Sequence, residues 1–198
     1  MNSKNQCFLL FLVAAVLFVE CNSRKNSYRE LTCEDIYQIE DTVERIDLHR
    51  SGYQQLKGIL IPNSKLITLE GETKEIHSLN KEAYLLDFWF IGCAPCEAEM
   101  PFLTELEHSL ENVGFISIAR NDPIELREYF SNRTDFSNLY LADSINSELC
   151  VSGYPTKFIL DSEFVIQNMF VGGSTDEEQV RARVDELKTA LEVLLASN

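Results

Sequence analysis

Leu86-Asp87-Phe88-Trp89-Phe90-Ile91-Gly92-Cys93-Ala94-Pro95-Cys96 decides how this chain is read. A nearly continuous apolar run with strand character stops at Gly92 and passes straight into a C-x-x-C pair. A helical pattern follows, from Glu97 to about Leu110. Two thiols three residues apart at a strand-to-helix junction are what dithiol–disulfide exchange requires. The first can sit exposed at the helix N-terminus, where unpaired N–H groups and the helix dipole stabilise a thiolate. The second lies one turn further on, close enough to close an intramolecular disulfide. The alternatives are half of a zinc site or two unrelated buried thiols. Zinc needs four ligands, and no second C-x-x-C or H-x₃-H follows at a usable spacing.

The N-terminus carries a different signal. Met1-Asn2-Ser3-Lys4 precedes an almost purely apolar run from Cys7 to Val19. That is the length of a signal-peptide core and short of the ~20 residues of a transmembrane helix. Cys21 follows, with polar Asn22-Ser23-Arg24-Lys25-Asn26-Ser27 behind it. A cysteine there resembles the lipidation site of bacterial lipoproteins, although Glu20 stands where such signals carry a small residue. Cleavage after Ser23 and a retained anchor are the other two outcomes. The expectation is export to the periplasmic side of the cell envelope, with membrane attachment through the N-terminus alone.

A formal net charge of −15 argues against nucleic acid and against electrostatic adhesion to anionic lipid. Six cysteines are too few for a disulfide-built scaffold of this length. The organisation read from the chain is a signal or lipoprotein-like segment over 1–23, a tether with a helical extension over 24–57, and one α/β domain over 58–198. In the extension, Thr32 and Asp35 form a capping-box pattern, and Ile36, Ile39, Val43 and Ile46 recur at helical spacing to about His49.

Within the domain, Ile59-Leu60-Ile61 and Leu66 to Leu69 read as short strands or a hairpin turning at Glu70-Gly71. Tyr84 to Phe90 and Phe115 to Ala119 read as strands buried on both faces. The helix from Cys96 turns Phe102, Leu103, Leu106 and Leu110 inward, with a kink expected at Pro101. Asp122 caps a helix over Ile124 to Phe130, with Pro123 at its first position. Leu139 to Leu141 reads as a strand and Ser144 to Cys150 as a short helix. Thr156 to Leu160 and Phe164 to Phe170 form a strand pair joined at Asp161-Ser162-Glu163. Thr175 to Ala196 closes the chain as an amphipathic helix. This order describes a central mixed β-sheet with helices on both sides, an N-terminal β-hairpin and a preceding helix.

From about Gly58 onward the sequence resembles the thioredoxin superfamily, and within it the TlpA/ResA-like exported thiol–disulfide oxidoreductases. The resemblance rests on the Gly58-to-Pro62 lead-in, the Glu70-Gly71 turn, Asp87-Phe88-Trp89, Cys93-Ala94-Pro95-Cys96, Glu99 with Pro101, and Gly153-Tyr154-Pro155-Thr156. It implies the thioredoxin-like fold and a protein-disulfide oxidoreductase needing no cofactor beyond a redox-active Cys93–Cys96 disulfide. Implied partners are disulfide-containing exported proteins and an upstream membrane thiol donor. Cys93 is the implied nucleophile and Cys96 the resolving thiol. A free thiol with a pKa near ~8.5 is only a few per cent ionised at neutral pH. Lowering it to ~7 takes about 2 kcal/mol of preferential thiolate stabilisation, within reach of helix-end donors.

Asp87 and Glu99 are the implied acid–base groups. A carboxylate inside an apolar strand costs several kcal/mol unless it is paired; Asp87 holds the position of the buried aspartate in thioredoxins, which is implicated in moving the second thiol's proton. Its other reading is a strand-end carboxylate bound to backbone or a lysine. Glu99, one turn from Cys96, either tunes the cysteines or is a solvated helix carboxylate. The resemblance makes Pro155 a cis-proline facing the disulfide, with Tyr154, Trp89 and Gly92 joining it at the substrate side. Tyr154 and Gly92 depart from the family pattern, which has a small or β-branched residue and a tryptophan at those places. Losing the tryptophan before Cys93 should either widen the cleft beside Cys93 or weaken a protein-docking surface.

Cys150 reads as a small buried hydrophobe and Cys33 receives no role. His49, His77 and His108 lack metal-ligand spacing, so no metal site is expected. The rival reading is a non-catalytic thioredoxin-like binding or copper-handling module. Copper carriers of the superfamily use C-x₃-C with a distal histidine, and peroxiredoxins a Pro-x₃-Thr/Ser-x₂-Cys setting; neither is present.

Overall fold

The computed structural model describes residues 56–132, 139–141, 145–149, 151 and 153–197. The signal segment, Cys21, the tether, the 32–49 helix with Cys33, and Cys150 lie outside the described residues.

The elements run in chain order as β1 (Lys65–Thr68), β2 (Thr73–Glu75), a 3-10 turn (Ile76–Ser78), β3 (Ala83–Trp89), α1 (Ala94–Ser109), β4 (Val113–Ala119), α2 (Pro123–Phe130), β5 (Leu139–Leu141), α3 (Ile145–Glu148), β6 (Thr156–Asp161), β7 (Ile166–Val171) and α4 (Glu177–Ala196). The strands form one sheet in the order β2-β1-β5-β4-β3-β6-β7. β3, β4 and β5 are parallel and the remaining pairings antiparallel. The expected thioredoxin-like mixed sheet with an N-terminal hairpin is therefore present. The hairpin turns where Gly71 adopts φ +87°, a conformation that costs a side-chain-bearing residue more than glycine.

All seven residues of β3 are buried, because both faces of the strand are covered. On one face Ala83, Leu85, Phe115 and Ile159 pack against Leu103 and Leu106 of α1 and Val184, Leu187 and Leu191 of α4. On the other, Leu86, Phe88, Ile118 and Phe158 pack against Ile61, Leu66 and Ile76 and against Leu149 after α3. Burying each such side chain contributes roughly 1.5–3 kcal/mol. A third cluster at the C-terminal end of β3 joins Trp89, Cys93, Cys96 and Met100 to Ala119 and Leu126.

Several boundaries differ from the sequence expectation. Ile59-Leu60-Ile61 makes only a single antiparallel bridge, Leu60 to Val165. Backbone bonds tie Gly58 N to Ile166 O, Ile166 N to Ile59 O and Ile61 N to Phe164 O, but Gly58 turns at φ +85° and Pro62 has no N–H, so the ladder goes no further. The strand expected from Phe164 starts at Ile166, since Phe164 has φ +64° and completes the turn. Asp161 Oδ1 organises that turn by accepting from Glu163 N and Val165 N at 2.9 and 3.0 Å. α1 begins at Ala94 and runs through Pro101 without interruption. α2 matches expectation: Asp122 accepts from Ile124 N and Pro123 opens the helix.

Candidate active site

Cys93 is the N-cap of α1, Pro95 lies in its first turn, and Cys96 follows inside the helix. The two cysteines form a disulfide with Cα atoms 5.2 Å apart. Tight turning before the helix makes this possible. Gly92 has φ +90°, Cys93 N–H donates to Phe90 O at 3.1 Å, and Ile91 N–H donates to Asn121 Oδ1 at 2.7 Å. Glu97 N–H closes the first helical turn onto Cys93 O at 2.9 Å.

Cys93, expected to be exposed, is only 5% exposed in the disulfide, and Cys96 3%. The cause is the aromatic and aliphatic cluster around Trp89, Met100 and Leu126 into which the bridge is set. Access comes past Gly92 and Ala94, both exposed.

The Tyr154–Pro155 peptide bond is cis, as the resemblance implied. Pro155 is buried at the head of β6, and its carbonyl accepts from Gly172 N at 2.8 Å. A methyl group on Gly173 would stand 3.1 Å from Pro155 Cγ, 3.2 Å from Pro95 Cβ and 2.8 Å from Glu99 Oε1. The cis-proline, the C-x-x-C proline and the Glu99 carboxyl thus converge on one point, and Gly173 is the residue small enough to let them. Tyr154 stands edge to face with Phe90, ring centroids 5.2 Å apart, and both pack against the cysteine cluster. An aromatic pair thus packs on the cysteine cluster although no tryptophan precedes Cys93.

Asp87 and Glu99 come together through a residue the sequence reading did not single out. Lys157 is the cross-strand partner of Asp87 in the β3–β6 ladder. Its Nζ lies 3.1 Å from Asp87 Oδ1 and donates a hydrogen bond to Glu99 Oε2. The three residues are 2% (Lys157), 6% (Asp87) and 0% (Glu99) exposed. The Asp87 contact is an ion pair rather than a well-aligned hydrogen bond: neither Asp87 Oδ1 nor Glu99 Oε1 accepts a hydrogen bond among the described residues. Burial pushes the Glu99 carboxyl above the ordinary carboxylate range; Lys157 pulls it back, and Asp87 adds to the rise. Burial alone would lower the Lys157 ammonium, yet the attraction of Asp87 and Glu99 outweighs it and holds the group above its ordinary value. Glu99 is therefore not a solvated helix carboxylate. The available signals were a lysine inside Thr156-Lys157-Phe158-Ile159-Leu160 and two carboxylates without an assigned cation.

Trp89, expected on the substrate side, is wholly buried and donates from Nε1 to Ser117 Oγ at 2.7 Å. It faces inward because β3 alternates, which puts Trp89 on the helix-covered face with Leu85 and Asp87. It supports the disulfide from below. Gly92 is exposed next to Cys93, and its N–H donates to Glu97 Oε1 at 2.8 Å.

No protein-family model matches the chain. Thioredoxin-like protein YneN of Bacillus subtilis is 32% identical over 130 residues, which span 62% of this chain and 75% of YneN. The thiol-disulfide oxidoreductase ResA of Bacillus cereus is 30% identical over 122 residues, spanning 59% of this chain and 70% of that protein. A crystal structure assigned as a thiol:disulfide interchange protein DsbE from Chlorobium tepidum shares the fold, with a TM-score of 0.59 at 16% identity over 68% of this chain and 94% of that one. The two bacillar relatives match over most of their own length and in the region that carries the closed cysteine pair, and the chain belongs to the thioredoxin-like thiol–disulfide oxidoreductases, the family of ResA.

Proposed function

We propose that this oxidoreductase works on the outer side of a bacterial membrane, held there by its N-terminal segment, and reduces or isomerises disulfides in exported proteins. The observation that carries the reading is the closed Cys93–Cys96 bridge at the head of α1, with cis-Pro155 beside Pro95. The apolar run before Cys21 supports the location. Among the described residues no helix is long and apolar enough to cross a membrane.

In the dithiol form Cys93 attacks. The N–H groups of the first turn of α1 and the helix dipole favour its thiolate, which opens the substrate disulfide and forms a mixed disulfide. Cys96 then attacks Cys93 Sγ, closes the internal bridge and releases the second substrate sulfur. Asp87 and Glu99 are the acid–base groups for the Cys96 proton. An extended substrate segment lies along Tyr154-Pro155, and a membrane thiol donor returns the pair to the dithiol.

Substitution of each cysteine tests this. Cys93→Ser abolishes turnover of a protein disulfide. Cys96→Ser leaves the first attack intact and accumulates a mixed disulfide with substrate, visible on non-reducing gels. Full activity in Cys93→Ser would overturn the reading.

A further inference from the structure

We propose that Lys157 is a positioning residue of the exchange reaction: its ammonium holds Asp87 and Glu99 together beneath the cysteines and leaves Glu99 Oε1 as the atom that takes the Cys96 proton. The proposal rests on the oxidoreductase reading above and extends it to a side chain that does not touch substrate.

The sheet face covered by α1 and α4 is apolar along β3 and β6, at Ala83, Leu85 and Ile159, until it reaches Asp87 opposite Lys157. This is the end nearest the cysteines, since β3 runs on through Trp89 to the turn before Cys93. Glu99 enters from α1, one helical turn beyond Cys96 and so on the same side of the helix. Its Oε2 is fixed by Lys157, which turns Oε1 toward Gly173, Pro155 and Pro95. Oε1 is fully buried and accepts no hydrogen bond among the described residues. A lysine needed only to balance Asp87 would not require a second carboxyl. One ammonium facing two carboxyl groups leaves the cluster one proton to gain or lose.

The other charges around the cluster are accounted for. Arg183 of α4 draws Glu99 toward ionisation but spends its guanidinium on Val171 O and Gly172 O, both at 2.9 Å. Glu97 of α1 accepts from Gly92 N–H. β7 presents Phe170 opposite Lys157.

With substrate held on Cys93 as a mixed disulfide, the Cys96 S–H proton passes to ionised Glu99 Oε1. Cys96 Sγ bonds to Cys93 Sγ, the Cys93–substrate S–S bond breaks, and the substrate sulfur leaves as a thiolate that takes a proton from water. Two electrons move from the protein dithiol to the substrate disulfide. Without the ammonium, two buried carboxyl groups face each other, and Glu99 stays protonated to higher pH, unable to accept.

The reduced protein treated with 5,5′-dithiobis(2-nitrobenzoate) tests this. The first thionitrobenzoate released reports attack by Cys93, and the second reports resolution by Cys96. Lys157→Met leaves the first release in place, slows the second at least ~10-fold at neutral pH, and raises its pH midpoint by about one unit. Lys157→Arg restores the midpoint. A folded Lys157→Met with the wild-type midpoint, or with a rate lowered equally at every pH, would overturn the proposal. Should Lys157→Met not fold, Lys157→Gln keeps a polar side chain without the charge and carries the same expectation for Glu99; an unchanged midpoint there overturns it equally. A wild-type protein without a second release would instead sink the oxidoreductase reading.

Discussion

Adding one methyl group at Gly173 probes the convergence of Pro95, Pro155 and Glu99 directly. The new Cβ would lie 2.8 Å from Glu99 Oε1, 3.1 Å from Pro155 Cγ and 3.2 Å from Pro95 Cβ. Unstrained carbon contacts sit at about 3.5–4.0 Å, so three neighbours must each give way by a few tenths of an ångström or more. Glu99 is held by Lys157 and has no exposed surface, and both prolines have rigid rings. Overpacking of this kind costs about 1–3 kcal/mol. Gly173 does not adopt a positive φ, so alanine also gains about 0.4–1 kcal/mol through the unfolded chain. The net expectation for Gly173→Ala is a loss of roughly 0.5–2 kcal/mol, together with a changed reduction potential, because the strain falls on groups flanking the bridge. Gly114→Ala is the control: its Cβ would meet Tyr84 at 2.6 and 2.8 Å, far from the cysteines. It should destabilise the fold and leave the potential unchanged. Urea unfolding of the oxidised proteins and glutathione equilibration of both variants measure these quantities. A Gly173→Ala protein more stable than wild type, with the wild-type potential, would refute the reasoning.

Trp89→Phe removes the 2.7 Å Nε1–Ser117 bond and leaves Ser117 Oγ buried. It should cost about 1–3 kcal/mol in urea unfolding and leave KM for a disulfide substrate unchanged, since Trp89 does not reach the surface. Gly92→Ala meets no atom within 4 Å, so its whole effect is the cost of φ +90° for a residue with a Cβ. That amounts to about 1–2 kcal/mol, read by thermal unfolding. Glu99→Gln changes the pH dependence of stability. Because the folded Glu99 carboxyl holds its proton to higher pH than the unfolded chain does, wild-type stability falls as pH rises from the ordinary carboxylate value of 4.5 to the folded value. The neutral amide removes that slope, so the variant gains on wild type between the two values in urea titrations at stepped pH.

The parts of the site written in consecutive residues were legible from the sequence. The strand, the glycine, the C-x-x-C pair and the following helix are local, and each turn or cap is specified by the residues that form it. Asp87 was conspicuous as a charge in an apolar run, and the cis bond followed from the resemblance around Tyr154-Pro155. Lys157 was not legible as a site residue, because its meaning lies in contacts with Asp87 across a sheet and with Glu99 at a separation of 58 residues. The burial of Trp89 follows from strand alternation, yet which face the helices cover is a tertiary fact. The short bridge at Leu60 shows the same limit: three apolar β-branched or aliphatic residues favour a strand, but Gly58 and Pro62 leave them room for a single pairing.

The decisive measurement is the reduction potential of the Cys93–Cys96 pair in the purified protein, equilibrated against glutathione buffers and quenched by thiol trapping. The expected result is a reversible two-electron transition near or below the ~−270 mV of thioredoxin, the poise of a protein that donates electrons to substrate disulfides. A value near ~−120 mV would make the protein an oxidant and contradict the reductive reading. A pair that does not open and close reversibly would contradict the redox role itself.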